Sequence, residues 1–224
     1  MHALLESYKV LVDFLGKALG PDYEIVLHDL SGENDAVVAI ANGQISGRSL
    51  GAPLTKLALR FLADREYEAV DYKVGYKGVS QKKTRLRSST MFIKDEAGAV
   101  VGMLCINFDP THCVQAANGI LAACGLESLA LEDVLCTGQG SESPGEETEH
   151  FVQSMADMVE TTIEEVTGET GIAPERLTMD EKVEIVTALQ NNGLFLMKGA
   201  VSEVANQLSI SEASVYRYLS KLKK

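Results

Sequence analysis

The strongest constraint on the fold lies at the end of the chain, where small and apolar residues recur at the offsets of a helix-turn-helix. Two short helices that cross steeply need a small residue at the crossing, and Ala205 occupies that position. Ser211 is a natural N-cap for the second helix, and Ser209 stands where the turn usually has glycine. The apolar residues that would hold the two helices together are Val201, Val204, Leu208, Ile210, Val215, Tyr218 and Leu219. This spacing predicts a helix-turn-helix, with a plain helical hairpin as the alternative.

The exposed positions of the second predicted helix indicate what this motif binds. In a helix-turn-helix, that helix lies in the major groove of DNA. Arg217 is the best candidate to read a guanine edge, because its guanidinium fork matches the two acceptors there. The other candidates for the groove are Ser211, Ala213, Ser214 and Tyr216, and the candidates for phosphate contacts are Lys221, Lys223 and Lys224. We therefore expect residues 178–224 to bind double-stranded DNA. An adaptor that binds protein through the same helices is the alternative.

The formal net charge of −12 at pH 7 is unfavourable for DNA binding if it is spread evenly over the chain. It is not spread evenly, since residues 95–175 contain no Lys or Arg but hold half of the 32 acidic residues. Within that stretch, residues 136–150 are rich in Gly, Ser and Glu, which predicts a flexible and self-repelling linker. The acidic charge therefore leaves the basic C-terminal end able to meet a polyanion.

The part of the chain before the linker, residues 1–135, alternates between helical and strand patterns. Apolar residues at helical spacing predict one helix over residues 1–20 and another over residues 54–64. Short β-rich runs predict strands over residues 23–30, 36–45, 70–78, 84–96 and 99–109. The order of helix, two strands, helix and three strands fits a five-stranded antiparallel sheet with flanking helices. This is an α+β domain.

Polar residues occupy strand positions whose neighbours by alternation are apolar. Ser88 and Thr90 share a face with Leu86 and Phe92, and Asn107 shares a face with Met103 and Cys105. A buried hydroxyl or amide is costly unless it has a hydrogen-bond partner. That partner is either the protein itself or a bound small molecule, and the same two alternatives apply to His28. The second alternative makes His28, Ser88, Thr90 and Asn107 the candidate contacts for a small-molecule effector.

A helical stripe between the linker and the helix-turn-helix is a candidate subunit contact. Val152, Met155, Val159, Thr162 and Val166 recur at spacings of three and four, which predicts a connecting or dimerisation helix within residues 151–177. The N-terminal helix is a second candidate. A homodimer or higher even-numbered oligomer is expected, because one recognition helix makes few base contacts and two-fold symmetry doubles them.

Motifs for other chemistries are missing from the sequence. It contains no phosphate-binding G-x-x-x-x-G-K, no G-x-S-x-G and no H-E-x-x-H, its four histidines are scattered, and no two of its four cysteines form a C-x-x-C pair. We expect no catalytic site, no bound metal and no cofactor, although an enzyme built on the α+β domain is the further alternative. No apolar run reaches the roughly 18 residues of a membrane helix, and the N-terminus lacks a signal-peptide layout. A cytoplasmic protein is therefore expected.

Several stretches together resemble a known family. YEIVLHDL, SSTMFIKD, GMLCINFD and the ending from EKVEIV through KGAVSEVANQLSISEASVYRYL are similar to the YheO-like family of bacterial transcriptional regulators. This resemblance covers most of the chain except the linker. It implies a PAS-like sensor domain before the C-terminal helix-turn-helix, and the family includes a repressor of D-arginine utilisation. PAS domains can bind haem, flavin or small metabolites, and no residue here selects haem or flavin.

Overall fold

The computed structural model describes residues 3–31, 36–130, 149–152 and 154–222. The chain divides into two compact units, residues 1–52 with 67–151 and residues 53–66 with 152–224. Lys223, Lys224 and most of the predicted linker lie outside the described residues. The predicted boundaries at 135/136, 150/151 and 177/178 remain predictions. Residues 53–66, which the sequence groups with the first domain, fall in the second unit.

The first unit is built around one mixed sheet, with neighbouring strands in the order β2-β1-β5-β4-β3-β6. Its elements are α1 (Ala3–Leu19), β1 (Tyr23–Asp29), β2 (Ala36–Ala41), β3 (Tyr72–Val79), β4 (Arg85–Lys94), β5 (Val100–Phe108), α3 (Thr111–Ala123) and β6 (Glu149–His150). The first five strands pair antiparallel, which confirms the predicted five-stranded α+β arrangement. The turn after β2 falls at the predicted Asn-Gly pair, where Asn42 has a φ of 56°.

The sheet has a sixth strand that the sequence analysis did not predict. β6 pairs parallel to β3, with Glu149 opposite Gly78 and His150 opposite Val79. These two residues were placed in the linker, because a two-residue strand is too short to show alternation. Helix α3 was also not predicted.

The two faces of the sheet differ in chemistry. On one face, Leu5 and Val12 of α1 pack against Ile25, Leu27 and Leu104 in an apolar core. Alternation sends the neighbouring residues of β1, β4 and β5 to the other face. That second face carries the polar residues described in the next subsection.

The second unit consists of helices. They are α2 (Lys56–Ala63), α4 (Met155–Thr167), α5 (Met179–Asn191), α6 (Ala200–Gln207) and α7 (Glu212–Leu222). Helix α4 packs against α5 and α6, and α7 also packs against α5 and α6. Fully buried side chains from four of them form the core, namely Met158, Val159, Ile185, Leu189, Val204 and Val215. Among the described helices, none is both long enough and apolar enough to span a membrane.

Helix α2 joins this helical unit although it comes from the middle of the predicted first domain. Leu57 and Leu59 are buried, and the Nζ of Lys56 lies 2.8 Å from the Oε2 of Glu165 on α4. Its N-cap is Thr55, whose hydroxyl accepts a hydrogen bond from the backbone N–H of Ala58. The predicted helix over residues 54–64 is therefore confirmed. Its location with α4 depends on long-range packing, which helical periodicity does not report.

The helix-turn-helix is present with the local features that its sequence predicts. Thr178 and Glu181 cap α5 reciprocally, and the Oγ of Ser211 accepts a hydrogen bond from the backbone N–H of Ser214 at 3.2 Å. Ala205 is buried at the crossing of α6 and α7. Ser209 has a φ of 49°, in the left-handed region that favours glycine. The turn therefore keeps the shape that glycine usually supports, at a modest conformational cost.

Candidate ligand site and candidate nucleic-acid interface

The four polar residues predicted as candidate effector contacts all lie on the same face of the sheet. Asn107 of β5 is directly opposite Ser88 of β4, and Thr90 is opposite Cys105 in the adjacent row. His28 of β1 is opposite Met103, which continues the same face. All four predicted side chains are at most 2% exposed. The structure thus brings residues from three strands together in the protein interior.

Glu24 is the charged group of this face. Its Oε2 accepts hydrogen bonds from the Oγ of Ser46 at 2.6 Å and from the backbone N–H of Ser46 at 3.2 Å. Its Oε1 accepts a bond from the Nδ2 of Asn107 at 2.7 Å. Burial raises the pKa of Glu24, and these hydrogen bonds oppose that rise. Sequence reasoning missed Glu24, although alternation in YEIVLHD places it on the same face as His28.

A second interaction fixes the protonation of His28. The Nη2 of Arg48 lies 2.9 Å from the Nε2 of His28. A guanidinium can only donate, so Nε2 must accept and the proton of the neutral ring is on Nδ1. Burial, followed by the charge of Arg48, holds the pKa of His28 well below its usual value. The Nδ1 faces the Sγ of Cys105 at 3.8 Å.

The hydrogen bonds continue from Cys105 across β4 and β3. The Sγ of Cys105 is 3.2 Å from the Oγ1 of Thr90, which is 2.7 Å from the hydroxyl of Tyr76. Burial raises the pKa of Cys105 to about 12 and raises that of Tyr76 well above its usual value. The charge of Glu149 and a hydrogen bond to Glu149 raise the pKa of Tyr76 further. The thiol and the phenol are therefore neutral donors.

These contacts form one connected series across the polar face. In the bonds between Cys105, Thr90 and Tyr76 either atom can be the donor. The neutral ring of His28 donates from Nδ1 toward the sulfur of Cys105. We call this series the polar chain, and its members are Arg48, His28, Cys105, Thr90, Tyr76 and Glu149. Each link from Arg48 to Tyr76 joins a possible donor to a possible acceptor, which a buried network requires for stability.

Two neighbouring atoms on the same face lack a hydrogen-bond partner. The Oγ of Ser88 and the Oδ1 of Asn107 are both buried, and neither has a partner among the described residues. We call these atoms the polar pair, and their residues are directly opposite in the β4–β5 register. A Cβ added to Gly78 would lie 2.7 Å from the Oγ of Ser88, and Phe151 lies next to the same position. An unpaired buried polar atom is costly, so a bound donor would satisfy both.

The polar face includes residue types that can bind metal ions, namely Glu24, His28 and Cys105. Within the described residues, no three His, Cys, Asp or Glu side chains are arranged to hold a metal ion. A hydroxyl and an amide oxygen are suited to hydrogen-bond a small polar molecule, such as an alcohol, amine or amide.

The lowered pKa of His28 predicts acid sensitivity. In the unfolded chain, His28 takes up a proton as the pH falls below about 6.5, whereas the folded protein keeps the ring neutral, so the free energy of unfolding falls with decreasing pH. The slope due to this residue should approach about 1.4 kcal/mol per pH unit, which is the limit for one proton. Urea unfolding of wild type and His28→Gln at pH 7.5 and 5.5 measures it.

The variant serves as the control for other titrating groups. The raised pKa of Glu24 contributes with the opposite sign, because folding favours its protonated form, but that contribution is common to both proteins. The wild type should lose more stability than His28→Gln between the two pH values. Equal losses would mean that His28 accepts a proton in the folded state.

The candidate nucleic-acid interface is the outer surface of α7. Ser211, Ala213, Tyr216, Arg217 and Lys221 are exposed, as predicted from the helix-turn-helix spacing, and Ser214 is half-buried. On the inner side, Val215 and Tyr218 are buried and hold the helix to α5 and α6. The guanidinium carbon of Arg217 lies 5.5 Å from the ring centroid of Tyr218, so part of its side chain rests against the helix. The predicted contacts Lys223 and Lys224 lie outside the described residues.

Comparison with known proteins matches both units. A family model described as a YheO-like PAS domain matches residues 1–124, and a second, described as an HTH domain, matches residues 158–220. A Haemophilus influenzae Rd protein of undescribed activity is 31% identical over 99% of this chain and 92% of its own length. Escherichia coli K12 YheO is 30% identical over 98% of this chain and 85% of its own. The transcriptional regulator DauR of Pseudomonas aeruginosa is 27% identical over 98% of this chain and 94% of its own.

Proposed function

Because this chain belongs to the YheO-like PAS family and combines that domain with a helix-turn-helix, we propose that it is a DNA-binding transcriptional regulator controlled by a small polar effector. The effector binds at the polar face of the sheet, and its binding changes the affinity of the helix-turn-helix for an operator. The observation that carries the sensing part is the polar pair, two opposed buried atoms without partners.

The polar pair restricts what the effector can be. The Nδ2 of Asn107 donates to Glu24, so its Oδ1 is the atom left over, and an amide oxygen can only accept. The effector must therefore present an N–H or O–H group to Asn107. The hydroxyl of Ser88 can donate or accept, so it is compatible with the same group. His28 and Thr90 lie further along the face and are the remaining proposed contacts.

The polar chain supplies a route from the effector to the helical unit. Arg48, at one end, lies shortly before Pro53, where the backbone passes from the first unit into the second. Glu149, at the other end, lies shortly before Val152, where the backbone passes into the second unit again. An effector that rearranges the polar chain therefore acts on both connecting segments. The first of these leads directly into α2, which is tied to α4 by the Lys56–Glu165 ion pair.

Operator binding is proposed to use two copies of the chain. One recognition helix reads few base pairs, and a two-fold dimer reads two half-sites about 34 Å apart. In the α4 stripe, Val159 and Thr162 are fully buried in the helical unit, whereas Met155 and Val166 are half-buried. Of the two predicted subunit contacts, the N-terminal helix has the more exposed apolar side chains, Val10 and Phe14, and we propose that it forms the contact.

Ser88→Ala tests the proposed effector site. Its Oγ has no partner in the described structure, so the variant should keep or slightly raise the melting temperature of the effector-free protein. It should bind the effector about 10-fold more weakly, since one hydrogen bond is worth about 1 kcal/mol or somewhat more. Native mass spectrometry of the purified protein and a thermal-shift screen of small metabolites identify the effector, and calorimetry measures its affinity.

Two further variants separate binding from signalling. Ser89→Ala, on the opposite face of β4, is the matched control and should leave effector affinity unchanged. Tyr76→Phe breaks the polar chain without touching the polar pair, so it should bind the effector but lose the change in operator affinity in gel-shift assays. If Ser88→Ala lowers the melting temperature and no screened molecule binds, water occupies the polar pair and the proposal is wrong. Absence of binding to any duplex from its own promoter would favour the adaptor alternative.

A further inference from the structure

The outward side of α1 carries an exposed stripe with coiled-coil spacing. Val10 is 72% exposed and Phe14 is 62% exposed, although both are large apolar residues. Ala3, Ser7, Val10, Phe14 and Lys17 follow one another at alternating steps of four and three, and all five are exposed. We call these five residues the α1 seam. Single exposed apolar residues are ordinary, but two at this spacing on one helix face indicate a partner helix.

The α1 seam is distinct from the face that α1 uses inside the chain. Leu5, Val12 and Gly16 are buried, and Leu5 and Val12 pack against the sheet. The seam points away from them, since residues at the two sets of positions lie about half a turn apart around the helix. The helix is thus apolar on two sides, and only one of them is satisfied by the described residues.

We infer that the α1 seam packs antiparallel against the α1 seam of a second copy of this chain. The two-fold axis would pass between Val10 and Phe14, so that Val10 lies opposite Phe14 of the partner subunit. The two-fold symmetry repeats this contact, so each copy covers Val10 and Phe14 of the other. Symmetric contacts of this kind are the form that closed dimers take. A dimer formed in this way supplies the two copies that the proposed operator binding uses. The contact is argued from α1 alone and rests on the proposed function only for that role.

Charge complementarity favours the antiparallel arrangement and a second copy of this chain as the partner. Glu6, beside the seam, and Lys17, at its end, are about three turns apart and lie on the same side of the helix. In the antiparallel pair, Glu6 reaches Lys17 of the partner subunit, and the symmetry repeats the ion pair. A parallel pair would instead place Glu6 level with Glu6 of the partner subunit and Lys17 level with Lys17 of the partner subunit, on opposite flanks of the contact, and would form no such ion pair. Their present partners, Lys9 and Asp13, are exposed pairs of little energetic value, so exchange costs little.

The surface beside the seam extends the contact. A groove of about 500 Å³ lies between α1 and β2, on the flank that carries Lys17, and its lining includes Val38, Ile40 and Leu50. Leu50 is 64% exposed, and β2 is an edge strand of the sheet. The groove, whose lining also includes Lys9, Asp13 and Lys17, gives side chains from a second copy room to pack beyond the helix pair itself.

A charge-swap series on the full-length chain tests the contact. Sedimentation velocity over a concentration series measures the dimer dissociation constant. Glu6→Lys and Lys17→Glu, made singly, should each raise it at least 10-fold by placing like charges together, and the double variant should restore it to near the wild-type value. Phe14→Asp should give a monomer with an unchanged melting temperature, because Phe14 is exposed within one chain.

Glu160→Lys, at an exposed position of α4, makes the same charge change away from the seam and should leave the dissociation constant within about twofold. A wild type that is monomeric at micromolar concentration, or single variants as dimeric as wild type, would overturn the inference. Failure of the double variant to recover would overturn the antiparallel register. Effector binding and DNA binding are measured separately. A dimer that survives Phe14→Asp and the charge swaps would overturn the α1 contact and leave the proposed function intact, whereas a monomeric wild type would also contradict operator binding by two copies.

Discussion

Glu24→Ala is expected to lower the free energy of unfolding of the sheet unit by about 3 kcal/mol. The carboxylate is fully buried and accepts three hydrogen bonds from Ser46 and Asn107. Its removal leaves the backbone N–H of Ser46 and the Nδ2 of Asn107 without an acceptor, at about 1–3 kcal/mol for each buried group. Urea unfolding followed by circular dichroism, compared at a constant denaturant slope, measures the loss.

Two variants bracket this result. Glu127→Ala removes an exposed carboxylate from the same unit and should change stability by less than about 0.5 kcal/mol. Glu24→Gln keeps the shape but turns an N–H₂ group toward one of the donors, so its effect should fall between the other two. A loss below 1 kcal/mol for Glu24→Ala would mean that water or a rearranged Ser46 replaces the carboxylate, and that the polar face is more open than its burial indicates.

Arg217→Ala is expected to weaken binding to the specific operator by about 1–3 kcal/mol, which is roughly 10- to 100-fold, with little effect on a scrambled duplex. Arg217 is exposed on α7, and its contact with the ring of Tyr218 limits the positions that the guanidinium can take. A guanidinium that is held in place loses less entropy when it binds a guanine edge. Fluorescence anisotropy with both duplexes, over a salt series, measures affinity and salt dependence together.

Lys221→Ala is the matched control for this prediction, since Lys221 is an exposed cation one helical turn further along α7. It should weaken binding to both duplexes alike and lower the slope of log affinity against log salt by about one. If Arg217→Ala also weakens both duplexes equally, Arg217 is a phosphate contact. Specificity would then have to come from Ser211, Ser214 and Tyr216.

Local patterns in the sequence were sufficient for the elements and for part of each candidate site. Capping by Thr178 and Ser211, the small residue Ala205 and the strand alternation through Ser88 and Thr90 all depend on residues a few positions apart. Such patterns state which face of an element a side chain occupies. They therefore predicted the antiparallel sheet, the helix-turn-helix and the four polar strand positions, which the fold then brings to one face.

The tertiary structure alone decided which of these residues have partners. Arg48 and Ser46 come from the loop after β2, and Glu149 comes from a two-residue strand that pairs with β3 far away in the sequence. Satisfaction of a buried polar group depends on strand register and long-range packing, which no local spacing encodes. For the same reason, the sequence predicted helix α2 but not its place beside α4. It identified Ser88 and Asn107 as unusual, but only the fold shows that their Oγ and Oδ1 atoms remain unpaired among the described residues.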